Sequence, residues 1–306
     1  MLGAILYRLI PSAEGSFQTL LEQWWLAPAL VILSLIFFWR HTTLAYGDMK
    51  FANGWGIVAA VTLIVATPYL FSIPVGNSAL IQLILMTFMM DRVVNSLAVR
   101  RSPFFVFDIG VLLGLLSMMH PAYLLLIPYF LIKFHQLEIS SLAHTLAQLL
   151  GVFTIWVLYL FLFTNPDLES IGQALFTKIE PLLSPKVPAL SDITIIAALI
   201  IFLVGTMIVF YHSYIRSIRR VRYLYQSHLK YSWLLLPIFI IYGELSTPTL
   251  LAMMLMILIF ASSPALYFSS LRGENRFLSL IFFSFALLIA LVMFWQSPYF
   301  STLFTF

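Results

Sequence analysis

The stretch from Phe104 to Ile132, FFVFDIGVLLGLLSMMHPAYLLLIPYFLI, carries one formal charge in 29 residues, Asp108. As a single helix it would rise ~44 Å, against a bilayer hydrocarbon core of ~30 Å. It is too long for one upright crossing and too short for two full ones. Near its middle, Pro121 removes a backbone N–H and disfavours helix at His120. Arg100 and Arg101 precede the stretch and Lys133 follows it. Basic residues of this kind favour the cytoplasmic side of a membrane. The stretch therefore reads as a broken hairpin of two short helices, with both ends on the cytoplasmic face. Gly110 and Gly114 repeat at a spacing of four, which gives the first of these helices a small face able to approach another helix closely.

Composition supports a membrane setting for the rest of the chain. Of its 306 residues 62% are hydrophobic and 9% charged, whereas a soluble domain has about 25% charged residues. The mean hydropathy is +1.01, and uncharged apolar runs recur along the chain. These runs are continuous rather than alternating, which excludes a transmembrane barrel. The expected fold class is all-α: a polytopic transmembrane helical bundle forming one integral membrane domain over 1–306. The absence of cysteine removes disulfides, thiolate metal sites and thiol catalysis.

In chain order, Met1–Ile10 places its apolar residues on one helical face, so residues 1–22 read as an interfacial segment rather than a cleaved signal. A first span covers Trp24–Trp39 and stops at Arg40-His41. Phe51–Met90 has no formal charge and holds two passes, separated by a turn at Ile73–Ser78. After the hairpin, Leu142–Phe163 is a span. Residues 164–192 form an outer loop with a short amphipathic helix at Ile171–Ile179. Ile193–Tyr214 spans again, and 215–230 is a basic cytoplasmic linker. Tyr231–Gly243 and Thr249–Phe268 make a further hairpin, and Phe277–Trp295 is the last span. With the Phe104–Ile132 hairpin counted as two passes, thirteen of the 16 basic residues fall inside. The total is about ten membrane segments, with both termini outside. The expected location is the bacterial inner (cytoplasmic) membrane.

The run RRSPFFVFDIGVLLGLLSMMHPAYLLLIPYFLI combines a basic pair, Phe107-Asp108-x-Gly110, an apolar helix and a proline-marked second helix. With the preceding VGNSALIQLILMTFMMDRVV, it resembles the signature region of an uncharacterised family of polytopic inner-membrane proteins of Bacteroidota. That resemblance covers roughly residues 40–165 and implies a multi-pass membrane fold without an assigned activity. The arginine-flanked short hairpin followed by a Leu-rich, proline-containing helix also resembles multi-span polyprenyl-phosphate-sugar glycosyltransferases. Those enzymes carry catalytic acids in a long outer loop after the first span. Here the corresponding loop is short and basic.

Four side chains are the candidates for chemistry. Asp108 lies inside an apolar run, where a carboxylate is costly and points to function. It is also early in a helix that Ser102 can cap and Pro103 can begin, where an acid complements the helix dipole. His120 is either a proton carrier or ligand, or a polar residue at a turn. Asp167 and Glu169 could hold a divalent cation or supply a base; the plainer reading is a solvated loop. Arg216, Arg219, Arg220 and Arg222 serve topology under the positive-inside rule, and as a cluster they suit an anionic lipid headgroup or a lipid-linked phosphate.

No metal site or cofactor is expected, nor a nucleic-acid partner, since no nucleotide-binding loop or dinucleotide fingerprint is present. The expected partners are membrane lipids, a lipid-linked phosphate and another membrane protein. The expected function is a role in cell-envelope lipid or glycan assembly as a non-catalytic partner. The alternatives are a lipid-linked sugar transferase and a membrane scaffold subunit.

Overall fold

A computed structural model of the chain describes residues 26–46, 75–95, 103–136, 142–163, 172–173, 175–176, 179–180, 190–214, 229–238, 249 and 251–261. Among the described residues there is no strand. The named elements are α1 (Leu26–Tyr46), α2 (Val75–Asn95), α3 (Pro103–Met119), a 3-10 segment (Pro121–Leu126), α4 (Ile127–Gln136), α5 (Leu142–Phe163) and α6 (Leu190–Tyr214). Residues 229–238 and Leu251–Ala261 are also helical. The readings at 1–22, at the 215–228 part of the basic linker and at Phe277–Trp295 lie outside the described residues.

The chain divides into two compact units. One comprises Met1–Leu26 with Asn95–Pro185, the other Ala27–Val94 with Lys186–Phe306.

In the first unit the expected hairpin is present, and two prolines shape it. His120 is extended, at φ −154° and ψ 124°, the conformation forced on a residue that precedes proline. Its N–H donates to the Leu116 carbonyl at 2.9 Å and closes α3. Its own carbonyl accepts from the Tyr123 N–H at 3.2 Å. Pro121 opens the 3-10 segment, where its missing N–H costs nothing. The segment runs six residues, longer than the usual three or four. Pro128 explains the length. In an α-helix its ring would meet the carbonyl of Leu124, four residues back. That carbonyl accepts from the Ile127 N–H instead, which holds the tighter winding until the proline is passed.

The two arms come out nearly equal. Seventeen residues of α3 rise ~25 Å, and the 3-10 segment with α4 returns ~27 Å, because 3-10 winding rises faster per residue. The ring of Phe134, in the last turns of α4, meets that of Phe105, near the start of α3, at 6.4 Å and 85°. Both ends of the hairpin therefore lie at one level.

α5 occupies Leu142–Phe163, the bounds read from the sequence, and packs on α3 through small residues. A β-carbon on Gly110 would strike the backbone carbonyl of Gln148. One on Gly151 would stand 2.8 Å from the Val111 nitrogen, and one on Gly114 would stand 2.8 Å from the Ile155 side chain. These contacts ascend together along both chains, so α3 and α5 run parallel. At the far end the Trp156 indole N–H donates to Ser117 Oγ at 2.9 Å. That hydroxyl donates in turn to the Gly114 carbonyl at 2.7 Å.

In the second unit two expected boundaries move. α1 continues through Arg40-His41 to Tyr46. Those residues end an apolar run but break no backbone pattern, and the next helix-disfavouring residue in the sequence is Gly47. The turn expected at Ile73–Ser78 gives way to helix at Val75, because Pro74 stands just before the helix, where it does no harm. Phe37 of α1 meets Phe88 of α2 edge-on at 5.8 Å, and Phe38 meets Phe260 at 6.2 Å. Arg92 stacks over the Phe88 ring at 5.1 Å. All of Leu251–Ala261 is buried, as befits a helix that is apolar on every side.

Candidate functional site

The first unit holds the two described candidates, Asp108 and His120, and the structure keeps them apart. Asp108 is in the second turn of α3 and half-buried. It lies ~200° around the helix from Gly110, away from the face that packs on α5. His120 stands at the hairpin tip, ~18 Å further along the axis at the helical rise per residue. The two cannot form one acid–base pair across that separation.

His120 has a visible structural task. Its Nδ1 accepts from the Ala122 N–H at 3.2 Å, so the side chain caps the 3-10 segment. The backbone groups released by the break are thus met within the hairpin itself. An accepting Nδ1 places the proton of a neutral ring on Nε2.

Asp167, Glu169, Arg216, Arg219, Arg220 and Arg222 lie outside the described residues. Among the described residues, no three His, Cys, Asp or Glu side chains come together to hold a metal ion.

A groove of about 590 Å³ runs along the outer side of α5. Its floor includes Leu146, Leu150, Phe153 and Trp156, and it is closed by Leu124 of the 3-10 segment and by Leu175 and Ile179. Residues 172–173, 175–176 and 179–180 are helical; the rest of the two-faced segment expected at Ile171–Ile179 lies outside the described residues. Among the described lining residues the one polar side-chain atom, Trp156 Nε1, is committed to Ser117.

Two features escaped the sequence reading. Gly151 is the socket for α3, and Gln148 is fully buried with neither amide atom hydrogen-bonded. Such an amide inside an interface raises the free energy of the fold by ~1–3 kcal/mol per unmet group. The signal was available in the spacing: Gln148, Gly151 and Ile155 follow the i, i+3, i+7 rule of one helical stripe, on a helix otherwise dominated by large apolar residues.

α5 is also the one helix among the described residues that is long and apolar enough to cross a membrane, over Leu142–Phe161. Comparison with protein-family models, with curated proteins and with solved structures finds no match to this chain.

Proposed function

We propose that this chain is a multi-pass protein of the bacterial cytoplasmic membrane. It would serve cell-envelope lipid or glycan assembly as a non-catalytic partner, with both compact units belonging to one integral membrane domain of about ten segments. The observation that carries the reading is the surface of α5. Leu142, Leu146, Leu150, Phe153, Leu158 and Phe161 all face outward. A contiguous apolar surface of this extent needs an apolar surrounding. Twenty residues of it rise ~30 Å, the thickness of the hydrocarbon core. The polar and small residues, Gln148 and Gly151, are turned to the neighbouring helix, as in membrane helix pairs. The basic linker with Arg216, Arg219, Arg220 and Arg222 suits binding of anionic headgroups at the cytoplasmic surface.

The test is topological. The chain has no native cysteine, so single cysteines report cleanly. In intact cells an impermeant thiol reagent should label a cysteine at Ser184, in the outer loop, and leave one at Ser227, in the basic linker, unlabelled. The reverse pattern, or recovery of the protein outside the membrane fraction, overturns the proposal.

A further inference from the structure

We infer that the groove on α5 is a binding site for one hydrocarbon chain of a membrane lipid, acyl or prenyl, selected by its chain and not by its headgroup. The inference rests on the membrane reading above and adds a specific site to it. Three observations lead to it.

The first concerns charge. Leu142–Phe161 contains no Asp, Glu, Lys or Arg. Among the described residues that line the groove, the one polar side-chain atom, Trp156 Nε1, is held by Ser117 at 2.9 Å. A polar occupant would lose its water and gain nothing in exchange, so the complementary ligand is uncharged along its whole length.

The second concerns shape. The groove follows α5 from Leu146 to Leu160, a rise of ~21 Å, which suits an extended chain rather than a compact ligand. Its volume of about 590 Å³ lies within the ~300–1,000 Å³ of small-molecule sites.

The third concerns rigidity. The floor of the groove is set by a short tie between two helices. The bond from Trp156 to Ser117, continued to the Gly114 carbonyl, fixes the indole plane. The cover is different in kind. Leu175 and Ile179 come from a segment outside the hairpin. A fixed aromatic floor beneath a separate apolar cover is the construction expected of a site that holds one chain apart from the bulk bilayer.

The site is tested by counting bound lipid on the purified, delipidated full-length protein by native mass spectrometry. The probes are dioleoyl phosphatidylglycerol, dioleoyl phosphatidylcholine and the short-chain dioctanoyl phosphatidylglycerol. Leu149→Trp and Val157→Trp fill the groove. Leu158→Trp places the same bulk on the same helix at a residue that is 50% exposed and outside the groove. The expected result is one tightly held dioleoyl lipid with either headgroup. Its affinity should fall at least ten-fold in both groove variants and with the short chain, and stay unchanged in Leu158→Trp.

Equal affinity in all three variants overturns the site, as does a headgroup preference that survives filling the groove. A dimer that dissociates only in the groove variants also overturns it, by assigning the groove to a second copy of the chain. Should either groove variant fail to fold, lipids brominated at mid-chain should quench the fluorescence difference between the wild type and Trp156→Phe; absence of that quenching is equally fatal. Failure here in a protein that the cysteine labelling places in the membrane removes the site and leaves the proposed function standing.

Discussion

Two apolar helices in this molecule have opposite surroundings. In Leu251–Ala261 every residue is buried. On α5 large side chains are exposed along most of the helix, including Phe153 at 64% and Phe161 at 62%. Hydropathy cannot separate the two, because a core helix and a lipid-facing helix are both rich in Leu, Ile and Phe. What separates them is the placement of the residues that are not large and apolar. On α5 the buried Gln148 and Gly151 form a stripe against α3, while large side chains elsewhere on the helix are left open. The fully buried helix has no such stripe. It carries Met253, Met254 and Met256 among its branched residues, flexible side chains that fill gaps on any side.

The contrast can be broken most forcefully by truncating one leucine in each helix. Leu255 is 0% exposed, and Leu255→Ala should cost about 3–4 kcal/mol, as leucine-to-alanine changes in filled cores do. Leu150→Ala, on the open face of α5, should stay within about 0.5 kcal/mol. Reversible unfolding in detergent measures both, and equal losses would erase the distinction. A middle-sized effect is expected at the socket. Gly110→Ala sets a methyl group against the Gln148 carbonyl, where overpacking should cost about 2 kcal/mol, and a neutral result would mean that α3 and α5 are not in close contact. The smallest effect has the opposite sign. Gln148→Leu removes two unmet polar atoms and should stabilise the unit by about 1 kcal/mol. A loss of stability there would show that the amide has a partner and that the stripe is a polar clasp.

Much of the first unit was legible in the sequence. His120-Pro121 marked the break because proline acts on the residue directly before it, a local rule that needs no tertiary knowledge. Gly110 and Gly114 marked the contact face because small residues four apart share one side of a helix. The bounds of α5 followed from an uninterrupted apolar run. What could not be read depended on partners distant in sequence. Gly110 names no partner, so the stripe that holds Gly151 could not be matched to it until the two helices lay parallel. Pro128 was passed over because a proline one residue inside α4 looks harmless there, and its effect falls on the segment behind it. α1 was cut short at Arg40 because a charge was taken for a helix end, although charge governs the surroundings of a helix and not its backbone.

The equal arms of the hairpin have a consequence for counting. A stretch that leaves a surface and returns to it contributes an even number to any tally of crossings. Whichever side α3 begins on, α5 begins on as well, which is why their contacts climb in step. In the membrane placement proposed above, the bend at His120-Pro121 therefore acts as a parity device: straightened into one rod, residues 103–136 would deliver α5 upside down.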